Sequence, residues 1–541
     1  MEKRYLIIGC IVLASAVVCI GGNEPLANEN KYGLYAKSIE QVLRLEPEQI
    51  DIGTAILIVS EQWSDAVAGR SCQRQLDEMA HEIRDRLQAK KIKADYRAIE
   101  VINQYLFEEL GFSSVKEADD PNDLFLHTVL KNKKGYCLSL SVLYLSIGER
   151  LGLPLYGVVV PGHFFVRYDD RRIRFNIETT SKGGTATDES YIKKFNVPAE
   201  TIDGIYMKNL NPLQTLGCFF NNLGNSYMAV GNKKQAQVAL ERAVEINPAL
   251  AESRTNLGNI YLEDGRADDA IRQYRVALQM SPDDAKVRNN LGNAFFKKGW
   301  SNDAAAEYER AIRLDPNLVE AYKNAAVIYG NDKQYGRAEE KLHLAIRIEP
   351  KNAGLYLQLG QVYRERGDFQ RAITELRNAL NWKPNYAEAY FNLAICFKEL
   401  GQADNEIEAY KKTLAIKPDM AEAMINLGNI YFGKKQYDEA IELYEKAVQL
   451  MPGESTVYYN IGAAYSNKRS QREAVEAYLK AVEINPKFGD AHYGLAYSYY
   501  SLQDYTSAWK HLETAQKLGV KVEAELLSEV KKMLKQPGSY K

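Results

Sequence analysis

The chain has 541 residues, more than one hydrophobic core can organise, so several folded units are expected. At 46% hydrophobic and 26% charged residues it is ordinary globular material, which excludes a disordered chain and a many-pass membrane protein. Its 69 basic and 71 acidic residues are scattered without a basic block, so nucleic acid is not an expected partner.

The N-terminus has the pattern of an export signal or membrane anchor. Glu2, Lys3 and Arg4 give a short, net positive start, and an apolar run follows over residues 5–20. Cleavage after Ala14-Ser15-Ala16 would satisfy the small-residue rule, with lipid attachment at Cys19 or Cys10 as alternatives. Residues 1–30 are therefore expected to make this an exported or membrane-anchored bacterial protein, on the periplasmic face. The other four cysteines, Cys72, Cys137, Cys218 and Cys396, lie far apart without CxxC spacing, and the six histidines are dispersed. That suggests neither a disulfide scaffold nor a zinc site, and no metal or cofactor is expected.

Residues 31 to about 110 read as helices. Leu76, Met79, Ile83 and Leu87 recur at helical spacing within 74–87, and Ile99, Ile102, Leu106 and Leu110 within 96–110, where Gly111 ends the run. Cys137 then opens an apolar-periodic stretch over 138–151, framed by Gly135 and Gly152. A thiol there would face unpaired helix N–H groups, which favour the thiolate. Residues 156–160 predict a strand, Pro161-Gly162 a turn, and His163 opens the next strand over 164–168. A further strand over 173–177 brings Asn176 and Glu178 level with its neighbour. On adjacent antiparallel strands a histidine and an acid can meet within hydrogen-bond reach. Cys–His–acid is an arrangement for nucleophilic acyl transfer, the acid fixing the imidazole.

This order, together with LFEELGF at 106–112, DPNDLFLHTVL at 120–130, RLGLPLYGV and PGHFFVRY, resembles the transglutaminase-like superfamily and its bacterial SirB1-like branch over about residues 40–185. The resemblance implies an α+β domain over 31–210 with Cys137 as nucleophile, His163 as base and Glu178 as orienting acid. Asn176 competes for the third place. Many members of that branch lack the cysteine, whereas this sequence keeps the full set. Oxyanion stabilisation would need the Cys137 backbone N–H and a second donor, for which Asn132 is a candidate. His127 reads as structural. Residues 188–195 could close the unit, with a packed joint up to Gly217.

From there prolines fall at Pro248, Pro282, Pro316, Pro350, Pro384, Pro418, Pro452 and Pro486, seven consecutive intervals of 34. Counting back gives nine repeats over 217–522, each with a small pair such as Leu223-Gly224 or Leu257-Gly258 and an aromatic three residues on, Tyr227 or Tyr261. The second helix carries alanine at Ala236, Ala270, Ala304, Ala338, Ala372, Ala440, Ala474 and Ala508. The sixth repeat departs, with Glu406 there and Thr413 where the others have alanine, and is expected to be looser or shifted. A last helix within 523–541 is expected to cap the stack.

The array resembles the tetratricopeptide repeat family, which implies an all-α superhelical solenoid. Before the small pair of the first eight repeats stands an amide, Asn222, Asn256, Asn290, Asn324, Gln358, Asn392, Asn426 and Asn460, and in the ninth Gly494. The column is similar to the asparagine ladder in the repeat domain of O-linked N-acetylglucosamine transferases. An amide both donates and accepts, so the resemblance implies a concave groove that pairs with an extended peptide or a protein. The same amides could instead bond between neighbouring helices, with Asn225, Asn259, Asn293 and Asn429 sharing that work. Two functions follow: a binding scaffold with a papain-like domain attached, or a cysteine peptidase, amidase or acyltransferase whose repeats present its substrate. Sugar transfer is not expected, because no nucleotide-sugar domain remains.

Overall fold

The computed structural model describes residues 36–534 apart from 64–68, 116–119, 198, 200, 201, 203 and 205. The chain divides into two compact units, residues 1–294 and 295–541. Segment 1–30 lies outside the described residues. Among those described, no helix is long and apolar enough to cross a membrane. The expectation of a membrane-anchored or exported protein is corrected on that finding. Even the apolar helix α2 (Ile52–Trp63) has only 12 residues, against about 20 for a span, and its apolar surface is spent on the protein core.

In the first unit, α1 (Ile39–Val42), α2, α3 (Gly69–Ala89) and α4 (Ala98–Asn103), the last continued by a π-helical turn over Gln104–Glu109, precede a short pairing of β1 (Ser113–Ser114) with β2 (Lys134–Gly135). Between those strands runs α5 (Leu126–Asn132), and after them α6 (Cys137–Arg150). Both α2 and α6 are buried on nearly every side, so neither shows a polar stripe. β3 (Leu155–Val160), β4 (His163–Asp169), β5 (Arg174–Glu178) and β6 (Gly184–Ala186) form an antiparallel sheet in chain order, on which α6 packs. Val160 faces His163, Arg167 faces Asn176, and Glu178 faces Gly184. α7 (Asp188–Lys194) follows, capped by Thr187, whose hydroxyl accepts the Ser190 N–H at 3.3 Å.

α8 (Pro212–Ala229) starts a turn ahead of the point the 34-residue period gives. Asn211 caps it, accepting the Gln214 N–H at 2.8 Å, and Pro212 takes the first helical position. With α9 (Lys233–Ile246) it joins the core of the α+β domain: Leu216, Phe219, Phe220 and Ala243 bury in one cluster with Leu143 and Val158. The Trp63 ring lies 5.9 Å from Phe220 and 6.0 Å from Tyr227. α10 (Ala251–Glu263) begins the next repeat.

The second unit is built of paired helices, from Val319–Asn331 with Tyr335–Ile348 to Gly489–Ser501 with Tyr505–Lys517. The close-packing residues are fully buried, and the small pairs explain why: a Cβ on Gly428 or Gly462 would fall 2.6 Å from the Tyr444 or Tyr478 ring. Helix Ala403–Ile416 of the sixth repeat keeps the 14-residue length of its neighbours, with Glu406 and Thr413 buried in it and the Thr413 hydroxyl donating to the Ala409 carbonyl at 2.9 Å. Helix Ala524–Leu534 buries Leu526 and Val530 against Ala496, Ala508 and Leu512.

Candidate functional site

Cys137 is the first residue of α6, and the chain before it is held tightly. A Cβ on Gly135 would lie 2.7 Å from Ser139 Oγ. That hydroxyl accepts the Tyr136 N–H at 2.8 Å and donates to the Asp123 carbonyl at 3.2 Å, which fixes where the helix starts. Cys137 consequently stands in the first turn, whose backbone N–H groups have no partner within the helix.

His163 opens β4 directly after Gly162, whose φ of +68° lets the chain reverse sharply. Its Nε2 stands 2.7 Å from Glu178 Oε2, and the Cys137 thiol lies close enough to the imidazole to favour its charged form. Side chains alternate along a strand, so His163, Phe165 and Arg167 share one face of β4, and Asn176 and Glu178 share that face on β5. Register then separates the two candidates for third member. Arg167 faces Asn176, which leaves Glu178 beside the His163 end of the strand. Asn176 is committed elsewhere: its Oδ1 accepts Arg167 Nε at 2.8 Å and its Nδ2 donates to Asp188 Oδ1 at 2.6 Å. It stands two strand positions, about 7 Å, too far along to orient the imidazole.

Burial pulls the His163 pKa down, but the hydrogen bonds with Cys137 and Glu178 outweigh it and raise the value to about 9. Glu178 is pushed up by burial and down more strongly by His163, Thr180 and Tyr191, ending at about 2. Its Oε1 accepts the Thr180 N–H at 3.1 Å and the Thr180 hydroxyl at 2.5 Å, and its Oε2 accepts the Tyr191 hydroxyl at 2.8 Å. The Phe195 ring lies flat over the imidazole, centroids 4.7 Å apart and 8° from parallel. Tyr191 stacks on Phe165 at 4.0 Å. An imidazolium held between a carboxylate and a thiol, and covered by aromatic rings, is equipped to stabilise a thiolate and to move its proton.

Thr180, Tyr191 and Phe195 were not identified from the sequence as site residues. The only signal was that 188–195 read as closing the unit. Asn132 is exposed at the C-terminal end of α5. The His127 ring stacks on Phe125 at 5.8 Å, with its Nδ1 buried. Among the described residues no group of three or more His, Cys, Asp or Glu is placed to hold a metal ion.

Most ladder amides have internal partners. In the first unit Asn222 donates to its own helix at the Cys218 carbonyl, 2.9 Å. Asn256 donates to Asn221 at 3.2 Å, and Asn290 to Asn259 at 3.0 Å. In the second unit Asn460 donates to Asn429 at 3.3 Å, Asn426 lies near enough to the Tyr410 hydroxyl to favour its charged form, and Asn324 also has a partner. Gln358 and Asn392 differ. Asn392 donates to the Glu388 carbonyl at 2.7 Å, but its Oδ1 and the Gln358 Oε1 are buried without a hydrogen-bond partner among the described residues. Gln358 lines a depression of about 210 Å³ with Ala326, Val327, Leu342 and Gln361.

Residues 70–211 match the family profile described as the transglutaminase-like superfamily. Profiles of the tetratricopeptide repeat match segments from 219–250 to 470–518. A UPF0162 protein of Xylella fastidiosa is 43% identical over 67 residues, which are 12% of this chain and 24% of the relative. The chain thus spans about a quarter of that relative's length. A UPF0162 protein of Pseudomonas aeruginosa is 26% identical over 198 residues, 36% of this chain and 71% of its own. Among solved structures, a tetratricopeptide repeat protein from Parabacteroides merdae, 17% identical, covers 46% of this chain and 98% of its own, with a TM-score of 0.39.

Proposed function

We propose that this chain, which joins a transglutaminase-like domain to an array of tetratricopeptide repeats, is a protein- or peptide-binding scaffold with a thiol-dependent amidase or acyltransferase built into its N-terminal domain. The observation that carries the enzymatic part is His163 Nε2 at 2.7 Å from Glu178, with the Cys137 thiol near the same ring. In the resting site the proton sits on the imidazole. The Cys137 thiolate attacks an amide carbonyl carbon, and the C–N bond breaks as His163 passes its proton to the departing amine. The thioester left on Cys137 is opened by water or a second amine, whose proton returns to His163 as the C–S bond breaks and the thiolate re-forms. Glu178 holds the imidazole in place and balances its charge. The motif order and the runs around it support the SirB1-like branch as this domain's kin.

The binding part is assigned to the spare acceptors. The Gln358 and Asn392 oxygens, one repeat apart, suit the backbone N–H groups of an extended chain, because a buried acceptor without a partner costs about 1–3 kcal/mol until one arrives. The bonded amides, Asn256 and Asn290 among them, hold helices together instead.

Iodoacetamide and peptide mass mapping test the site. Cys137 is expected to be labelled ahead of Cys72 near neutral pH, and His163→Ala to slow its labelling by about 100-fold. Labelling of Cys137 that is slow and indifferent to His163 would leave a domain without this chemistry.

A further inference from the structure

α10 belongs to the second repeat, yet Glu252 in its first turn reaches the sheet that carries His163. Its Oε1 accepts the Tyr206 hydroxyl at 3.1 Å, and the Gly162 backbone amide is near enough to favour the charged form of its carboxyl. Tyr206 is buried, and the residues after it are bonded along β3: the Met207 N–H donates to the Val159 carbonyl at 3.2 Å and the Leu210 N–H to the Gly157 carbonyl at 2.9 Å. Gly162, with φ of +68°, lies in the turn between Val160 and His163, which face each other across β3 and β4. One carboxylate therefore holds the segment that lines β3 up to Val159, two residues before the turn from which the imidazole projects. Besides Tyr206 and Gly162, Glu252 faces Asp284 and the Cys218 thiol. None of these is a cation. Burial, with Asp284 adding to it, pushes the Glu252 carboxyl above the usual carboxylate range. A half-buried carboxylate without a countercharge is costly for the fold, and the contact that offsets it here is the Tyr206 hydroxyl.

We infer that Glu252 is a positioning residue for His163: through Tyr206 the second repeat holds the segment paired with the end of β3, and so sets where the turn after it places the imidazole against Cys137. The inference rests on the thiol–imidazole reading of the site. It makes the repeat array part of the catalytic support. An α+β domain with Cys137, His163 and Glu178 intact but with α10 displaced loses the alignment of nucleophile and base.

The test measures the rate of Cys137 carbamidomethylation against pH in the full chain, with Cys72 as internal reference and thermal unfolding recorded for every variant. Glu252→Ala is expected to slow Cys137 about tenfold near neutral pH and to displace the profile to higher pH, with Cys72 unchanged. Glu252→Gln keeps an acceptor for Tyr206 and restores most of the rate. Tyr206→Phe, which removes only the donating hydroxyl, gives a smaller displacement in the same direction. A residue that merely stabilises the fold would lower the unfolding temperature and leave the profile in place, and that result in Glu252→Ala overturns the inference. Should Glu252→Ala not fold, an unchanged profile in Tyr206→Phe overturns it instead. A wild-type Cys137 no faster than Cys72 and indifferent to His163→Ala defeats the site reading itself, and this inference with it.

Discussion

His163 is bound by two groups that both favour its charged form, and this coupling makes the site dependent on pH in a defined window. Its folded pKa of about 9 lies above the ordinary 6.5, so its contribution to stability is complete below 6.5 and lost as pH rises through about 9. Glu178, at about 2 against 4.5, contributes fully above 4.5 and loses its contribution as pH falls through about 2. Both are at full strength between pH 4.5 and 6.5. Glu178→Gln is expected to cost about 3 kcal/mol in denaturant unfolding within that window, and clearly less above about pH 9. Asn176→Ala separates the competing third member from Glu178, the acid that bonds the imidazole. It should cost about 1–3 kcal/mol, because Arg167 and Asp188 lose a buried bond, while Cys137 labelling stays at its wild-type rate. A collapse of labelling in Asn176→Ala would return it to the site. The proximity of Cys137, His163 and Glu178 was legible because helix start, turn and strand follow one another in a short stretch of chain. The choice between Asn176 and Glu178 was not legible, since they share a face and only the register against β4 distinguishes them. Tyr191 and Phe195 were hidden for a similar reason: stacking on an imidazole leaves no trace in spacing.

At the scale of elements, the repeats use their signature positions for more than filling space. In several repeats the tyrosine after the small pair also donates a hydrogen bond to a glutamate of a preceding helix, as in Tyr329 to Glu309 at 2.8 Å, Tyr363 to Glu339 at 2.8 Å and Tyr465 to Glu445 at 3.2 Å. Period and small pairs made these helices readable, because they report backbone approach. The amide column was ambiguous, because an amide serves a neighbour helix and a ligand equally well. The sixth repeat keeps its helix length but not its chemistry. Glu406 is buried where the other repeats have alanine; burial pushes its carboxyl above the usual range, against a smaller pull from Lys398. A raised folded pKa means that stability is greatest when the group is protonated and is lost as pH rises through that pKa. Glu406→Ala is therefore expected to stabilise the second unit by about 1 kcal/mol at neutral pH, and by less below about pH 4, in thermal unfolding. A destabilising effect at neutral pH would show that the carboxylate has a favourable partner.

On the scale of the whole molecule, the boundary between the α+β domain and the repeats is not where the sequence period begins. α8 and α9 bury Leu216, Phe219, Phe220 and Ala243 in the same core as the sheet and α6. The period marks equivalent positions in each repeat, not which neighbour a repeat packs on, so the shared core stayed out of reach. A fragment covering residues 36–211 is expected to lack a cooperative unfolding transition, while 36–294 shows one by circular dichroism. Equal transitions in the two would separate domain from repeats. The central claim, a proton held on His163 by Cys137 and Glu178, is tested most directly by NMR titration of the His163 ring carbon in the full chain. The imidazole should remain charged to about pH 9 in the wild type and titrate lower in Cys137→Ala. Titration near the ordinary 6.5 in the wild type, unmoved by loss of the thiol, would contradict it.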